Sequence, residues 1–545
     1  MKKTFYIILS MWYLLSANTT FAFTHADTLR GSNGRGRDWW DVQHYDLSVI
    51  FDTASHSING VTKIEFSLPG LQHDSMQIDL QSPMVLDSAV LGVGADRGCL
   101  LQIINEGNVW WLKGAFNKLD KNGCVTLYYH GTPRIAVNPP WDGGFSWKTD
   151  SEGKPWMSVS CQGLGASVWW PCKDAQWDEP DMGMKINLKV PQGMVAVSNG
   201  RLKGQPKETT GEGYWSWEVK NPINNYDVSF YIGNYVHWQD TLIGEKGKLD
   251  LDYWVLRQNE QKAHKQFVVV KQMIHCFEYW MGPYPFYEDG YKLVDAPYLG
   301  MEHQGAVAYG NDYKMGYRGY DRTMTGIGMN FDYIIIHESG HEWFGNNVTA
   351  ADMADNWVHE GITTYSESLF AECLLGKEKG QKYCRGEWRN IQNDKPMIGP
   401  YGVNEEGSND IYDKGTAIMY MIRMMTNDDE KFRQMLRGLG KEFYHKTVTT
   451  QQVESYIASH TGLDLTAFFN QYLRTTDIPV IEYSIRHKKM RYRFVNTVNG
   501  FTLPLTVTAN NITAPLTPTT EWQEIKWKGG FDIKFTKDFL IKTEK

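Results

Sequence analysis

The chain has 545 residues, 42% hydrophobic and 22% charged, an ordinary globular composition long enough for several domains. A formal charge of −8 without a basic run gives no nucleic-acid footprint, so no nucleic-acid partner is expected. The seven cysteines are odd in number and lack CxxC spacing, which excludes a disulfide scaffold and a zinc knuckle.

In chain order, residues 1–22 come first, with Lys2 and Lys3, an apolar stretch from about Thr4 to Ser16 and small residues near Ala22. That is the pattern of a secretory signal cleaved near Ala22-Phe23. An uncleaved anchor is the alternative, although the apolar stretch is short for a spanning helix. The protein is expected to be exported, periplasmic or secreted, with no integral membrane span after cleavage. Export permits a bridge or two, and Cys99 with Cys124, flanking an apparent hairpin, is the pair the sequence suggests. A β domain is expected over 27–238: Tyr45, Leu47, Val49 and Phe51 alternate, Asn59-Gly60 marks a turn, and Tyr226, Val228 and Phe230 repeat the period. The period then changes. Phe267, Val270, Ile274, Phe277 and Met281 are helically spaced, with Gly282-Pro283 as a stop signal. A strand is expected next, in "YKLVDAPYLGMEHQG". Helical patterns run from about Phe331 to Leu473 around the polar loop "NDKPMIGPYGVNEEGSND", giving a mainly α domain over 239–476. Alternation returns beyond Pro479, with a turn at Asn499-Gly500, so 477–545 reads as a small β domain.

The chemistry lies in "HESGHEW" (337–343), directly behind "DYIII". Positions i and i+4 lie one turn apart on a helix face, so His337 and His341 can point at one spot. Two imidazoles there suit a divalent metal, with Glu338 beside whatever the metal binds. Two ligands are too few, because a catalytic zinc usually takes three and keeps one position open. After eighteen intervening residues, 342–359, the chain reaches Glu360, within "NWVHEGITTYSE". That spacing lets a following helix return and complete a His2Glu set.

"HESGHEWFGNNVT" followed by "WVHEGITTYSE" closely resembles the aminopeptidase N family of gluzincin zinc peptidases, with its HExxHxWFGNxVT and W-x-x-E-G-x-x-x-Y segments. "GMEH" (300–303) is similar to the family's Gly-x-Met-Glu-Asn exopeptidase signature, and "IYDKG" (411–415) to its Tyr-x-Lys-Gly segment. "CQGLGASVWWPCKDAQWDEP" (161–180) and "LTAFFNQYLRTTDIPVIEYSI" extend the resemblance towards both ends. It implies a multi-domain α+β protein: an N-terminal β saddle, a thermolysin-like mainly α catalytic domain and a small C-terminal β sandwich. The large C-terminal helical domain of longer members is not expected. The chain departs from the family at His303, where the signature has Asn, at Leu299, where it has Gly, and at Ala166-Ser167, where many relatives have Ala-Arg. A bulky Leu299 would reshape the first subsite.

The resemblance implies one Zn2+ per chain on His337, His341 and Glu360, with Glu338 as general base and Tyr412 on the oxyanion. It also implies Glu302 and Gln162 on the substrate's α-amine, beside the backbone of Gly300 and Met301. The substrates are then peptides with a free N-terminus. Glu367, two turns beyond Glu360 on the same helix face, is either a partner of a ligating histidine or an ordinary surface glutamate. Three other readings stay open: a thermolysin-like endopeptidase, an epoxide hydrolase as in one branch of the family, and an inactive zinc-retaining peptide-binding module.

Overall fold

Alternating burial builds the first unit. In the computed structural model, which describes residues 23–70, 73–92, 98–207 and 209–545, strand Asp41–Asp52 buries Tyr45, Leu47, Val49 and Phe51 and leaves the residues between them part-exposed or exposed. The expected signal segment, 1–22, lies outside the described residues. That strand sits inside an eight-stranded sheet, between Met184–Lys189 (parallel) and Ser57–Ser67 (antiparallel), with Asn122–Gly131 beyond the latter. A four-stranded and a three-stranded sheet complete this β-rich part. Trp39, Trp40, Trp169 and Trp170 lie in the core between them.

Three local expectations are overturned here. Asn59-Gly60 is not a turn: both residues pair within Ser57–Ser67, opposite Ile50 and Val49, and the chain reverses at 53–56. Gly60 is required by packing instead, because a Cβ there would lie 2.2 Å from the Tyr129 ring on the paired strand. Tyr226 lies in a 3-10 turn, Asn225–Asp227, and the strand begins only at Phe230; Tyr226, Val228 and Phe230 are all buried, as are Asp227, Ser229 and Tyr231 between and after them, so no alternation exists. Cys99 and Cys124 do not pair. Strand Val85–Gly92 runs between them, Leu91 opposite Cys99 and Gly92 opposite Cys124. Two strand spacings of about 4.8 Å exceed the reach of a disulfide. The bridge joins Cys276 to Cys373 instead, linking helices Val269–Met281 and Trp357–Leu375.

The middle unit hangs on a five-stranded sheet that both cores share. Its order is Tyr235–Gly244, Gly247–Leu256, Tyr291–Asp295, Val307–Tyr309 and Gly300–Met301. The first of these strands crosses position 238 without a break. Leu293, Val307 and Tyr309 face the helical core, whereas Val294, Ala308 and Met301 belong to the N-terminal core. Phe267, Val270, Ile274, Phe277 and Met281 are buried on the helical side; Phe267 lies in the turn that precedes helix Val269–Met281, and Gly282, at φ +98°, ends that helix. Beyond 480 two small sheets form the C-terminal part, and Phe494, Val507 and Trp527 continue the helical core into it. The order is β, mainly α, β. Among the described residues no helix is long and apolar enough to cross a membrane.

Candidate active site

Asp332 starts the helix that carries the motif: its carboxylate accepts from the backbone N–H of Ile334 at 3.0 Å. Helix Tyr333–Gly340 ends at His341, which keeps helical dihedrals (φ −63°, ψ −20°) and so stays one turn from His337. Their Nε2 atoms are 3.4 Å apart. Glu360 comes from the first turn of Trp357–Leu375, its Oε2 lying 3.3 Å from His341 Nε2 and 3.7 Å from His337 Nε2.

These three side chains fit a zinc ion by chemistry as well as proximity. Glu360 Oε2 is buried and has no hydrogen-bond partner among the described residues. Both Nδ1 atoms are occupied: His337 Nδ1 meets Glu367 Oε1 at 2.8 Å, and His341 Nδ1 meets the Phe344 carbonyl at 3.0 Å. Each imidazole donates through Nδ1 to an acceptor, so each Nε2 turns a lone pair to the shared point. Burial pushes Glu360 up, but His341 and His337 together hold it well below the carboxylate range.

Glu367 is thus buried at the back of His337 and is no surface residue; Tyr383 donates to its second oxygen at 2.7 Å. Tyr333 stacks on the same imidazole, ring centroids 5.2 Å apart. The i+7 spacing signalled Glu367, whereas nothing local pointed to Tyr333 or Tyr383.

Glu338 is 8% exposed and lines the same cavity, of about 280 Å³. Burial lifts its carboxyl to about 7, against the opposing pull of His337 and His341. Gly300 lies against it: a Cβ there would stand 2.6 Å from Glu338 Oε1. The strand Gly300–Met301 therefore runs close beside the motif helix, with Leu299 also on the cavity wall. Glu302 follows just past the strand end. Its backbone carbonyl accepts from Asn346 Nδ2 at 2.8 Å, a contact from the "WFGNN" segment to which the sequence assigned no role.

Gln162, from the loop after strand Pro155–Ser160, joins the two carboxylates: its Nε2 donates to Glu302 Oε1 at 2.7 Å and to Glu360 Oε1 at 3.0 Å. His303 turns away from the cavity. Its Nδ1 lies 2.6 Å from the Tyr231 hydroxyl, which donates to the Ala306 carbonyl, and burial holds it down to about 3.

Tyr412 caps helix Asp413–Thr426 and lies over His337, ring centroids 6.1 Å apart. Its approach rests on two glycines. A Cβ on Gly361 would come within 2.9 Å of the Gly415 Cα, so only glycines let these two helices, bearing Glu360 and Tyr412, touch backbone to backbone. Burial, with Glu360 next, pushes the Tyr412 hydroxyl well above its ordinary pKa, so it remains a donor. All nine residues singled out from the sequence, His337, His341, Glu360, Glu338, Tyr412, Glu302, Gln162, Gly300 and Met301, line this one cavity.

The Peptidase family M1 domain matches residues 266–472. The chain is 23% identical over 445 residues to leukotriene A-4 hydrolase of Xenopus laevis, covering 77% of this chain and 68% of that one. It is 22% identical over 378 residues to aminopeptidase B of Rattus norvegicus, covering 64% and 54%. Against aminopeptidase M1-D of Oryza sativa subsp. japonica the shares are 76% and 48%, again at 22% identity. The chain thus spans from about half to about two thirds of the length of these relatives. Among solved structures, a mutant M1 zinc metallopeptidase from Deinococcus radiodurans bound to a Tyr-Ser-Ala substrate matches with a TM-score of 0.65 at 19% identity, over 81% of this chain and 96% of that one. A two-domain M1 zinc metallopeptidase mutant bound to L-tryptophan matches with a TM-score of 0.64 at 20% identity, over 78% and 92%. At these identities the structural likeness carries the fold.

Proposed function

Because the chain belongs to peptidase family M1 through residues 266–472, we propose that it is a zinc aminopeptidase that removes N-terminal residues from peptides. The observation that carries this reading is the bridge made by Gln162 between Glu302 and the metal ligand Glu360. A buried carboxylate tied to a ligand of the metal is a site for a cation one residue away from the scissile bond. A protonated α-amine is the feature that marks a chain terminus whatever the side chain.

One zinc ion, when bound by His337, His341 and Glu360, supplies Lewis acidity, polarising the scissile carbonyl and lowering the pKa of a water towards ~7. Glu338 takes the proton of the attacking water and returns it to the leaving nitrogen as the C–N bond breaks. Tyr412 donates its hydroxyl to the carbonyl oxygen as charge gathers there. Glu302 binds the α-amine and fixes the register of the cut, while Gln162, whose Nε2 is engaged by the two carboxylates, offers Oε1 as a second acceptor.

The relatives named aminopeptidase support the same activity. The test is one peptide in free and N-acetylated forms, with products identified by mass spectrometry. The free form is expected to lose its first residue, and the acetylated form to be cut poorly. Internal cleavage of the acetylated peptide at a comparable rate would leave the endopeptidase reading standing. Export belongs to the same proposal and is supported by the Cys276–Cys373 bridge, which suits an oxidising compartment. N-terminal sequencing is expected to return Phe23; Met1 from a membrane fraction would mean an uncleaved anchor.

A further inference from the structure

A cation lines the cavity as well as the carboxylates. From Glu302 and Gln162 a line of contacts runs through Glu360 to His337, whose Nδ1 is 3.4 Å from the Tyr333 hydroxyl. Tyr333 in turn accepts from Arg322 Nη1 at 2.6 Å. Arg322 is the single Lys or Arg among the described residues lining this cavity, and along this line of contacts the metal ligands Glu360 and His337 come between it and Glu302.

Its guanidinium is held in place. It lies 5.3 Å from the centroid of Tyr333 and 5.7 Å from that of Tyr317, and Nη2 reaches Asp413 Oδ2 at 3.3 Å. Asp413 also accepts from Asn390, so the pairing is shared. A guanidinium carries five N–H donors, and these contacts use two. The side chain stays 22% exposed, on the cavity wall. The other donors have no protein acceptor among the described residues, and bracing Tyr333 or neutralising Asp413 does not use them.

We propose that Arg322 is a subsite for a carboxylate on the residue that follows the scissile bond, which makes zwitterionic short peptides the favoured substrates. This rests on the aminopeptidase reading: with the α-amine on Glu302 and the bond at the metal set, the leaving residue extends towards Arg322. Its carboxylate comes from either of two sources, the C-terminus of a dipeptide or an Asp or Glu side chain. Both suit the planar guanidinium fork.

The test compares kcat/KM for Xaa-Ala, Xaa-Ala-amide and Xaa-Asp-amide, Xaa being the residue the protein releases fastest from amino-acid amides. The parent, Arg322→Lys and Arg322→Gln are assayed with zinc bound. The parent is expected to favour at least one carboxylate-bearing substrate over Xaa-Ala-amide by about tenfold or more, as a charge-assisted hydrogen bond allows. Preference for Xaa-Ala assigns the main-chain carboxylate, and preference for Xaa-Asp-amide the side chain. Arg322→Gln is expected to bring the ratio close to one, with Arg322→Lys between. If Arg322 only braces Tyr333, all three rates fall together in Arg322→Gln and the ratio persists, which overturns the proposal. So does a parent that treats the three alike. Release of no free Xaa from any substrate by the parent would instead remove the aminopeptidase reading, and this inference with it.

Discussion

The metal set and the proposed amine site share one cavity but are assembled in opposite ways. His337, His341 and Glu360 lie within one short segment of chain, and the partners of both Nδ1 atoms, Glu367 and the Phe344 carbonyl, come from the same stretch. Glu302 and Gln162 are 140 residues apart and meet only where the N-terminal β part closes on the shared five-stranded sheet. On the proposed reading the chemistry is therefore built locally, whereas the position of the cut along a substrate is set by an interface. Changes to the first should abolish turnover or metal, and changes to the second should alter which molecules are cut.

The largest effect is expected on the metal side. Glu338→Gln should keep zinc and lose about 10²–10⁴ in kcat, while His337→Ala, His341→Ala and Glu360→Ala should each lose the metal. Metal analysis beside turnover checks this, and parental turnover by Glu338→Gln would refute the assigned base. Tyr412→Phe removes one donor and little volume, so kcat should fall about 10²–10³ with KM nearly unchanged. A raised KM with parental kcat would move Tyr412 into substrate binding.

On the amine side, Glu302→Ala should lose at least ~30-fold in kcat/KM for free peptides. Gln162→Ala should cost less, about 1–3 kcal/mol. Because the two side chains share a hydrogen bond, the double variant should lose less than the sum, and strict additivity would separate them. Glu367→Ala tests how far the metal side extends: its expected loss is about 10–100-fold in zinc affinity, read by competition with a chelator.

The smallest effect concerns His303, behind Glu302. Burial depresses its pKa to about 3, and its Nε2 has no partner among the described residues. Below 6.5 the unfolded chain binds a proton that the folded chain refuses, so stability present at neutral pH is lost as pH falls from 6.5 towards about 3. The loss is about 1.4 kcal/mol per pH unit. His303→Asn should therefore lose less melting temperature than the parent between pH 7 and pH 5, and equal losses would remove His303 as the cause.

Much of this site follows from local spacing along the chain. The i, i+4 histidines, the returning Glu360 and the buried stripe from Val270 to Met281 follow from helix periodicity, which acts within a few turns and needs no partner. The same local logic misjudged Asn59-Gly60, because the glycine there answers to the Tyr129 ring on a neighbouring strand rather than to a turn. It left Glu367 undecided, because helix Trp357–Leu375 is buried all round from Trp357 to Ala371 and a single-face argument cannot rank its positions. Arg322 carried no signal at all. Its meaning comes from Tyr317, Tyr333 and Asp413, which are gathered around it only by packing. Spacing along one element is a property of the chain, but which faces meet across a cavity is decided by how whole units bury their apolar surfaces against each other.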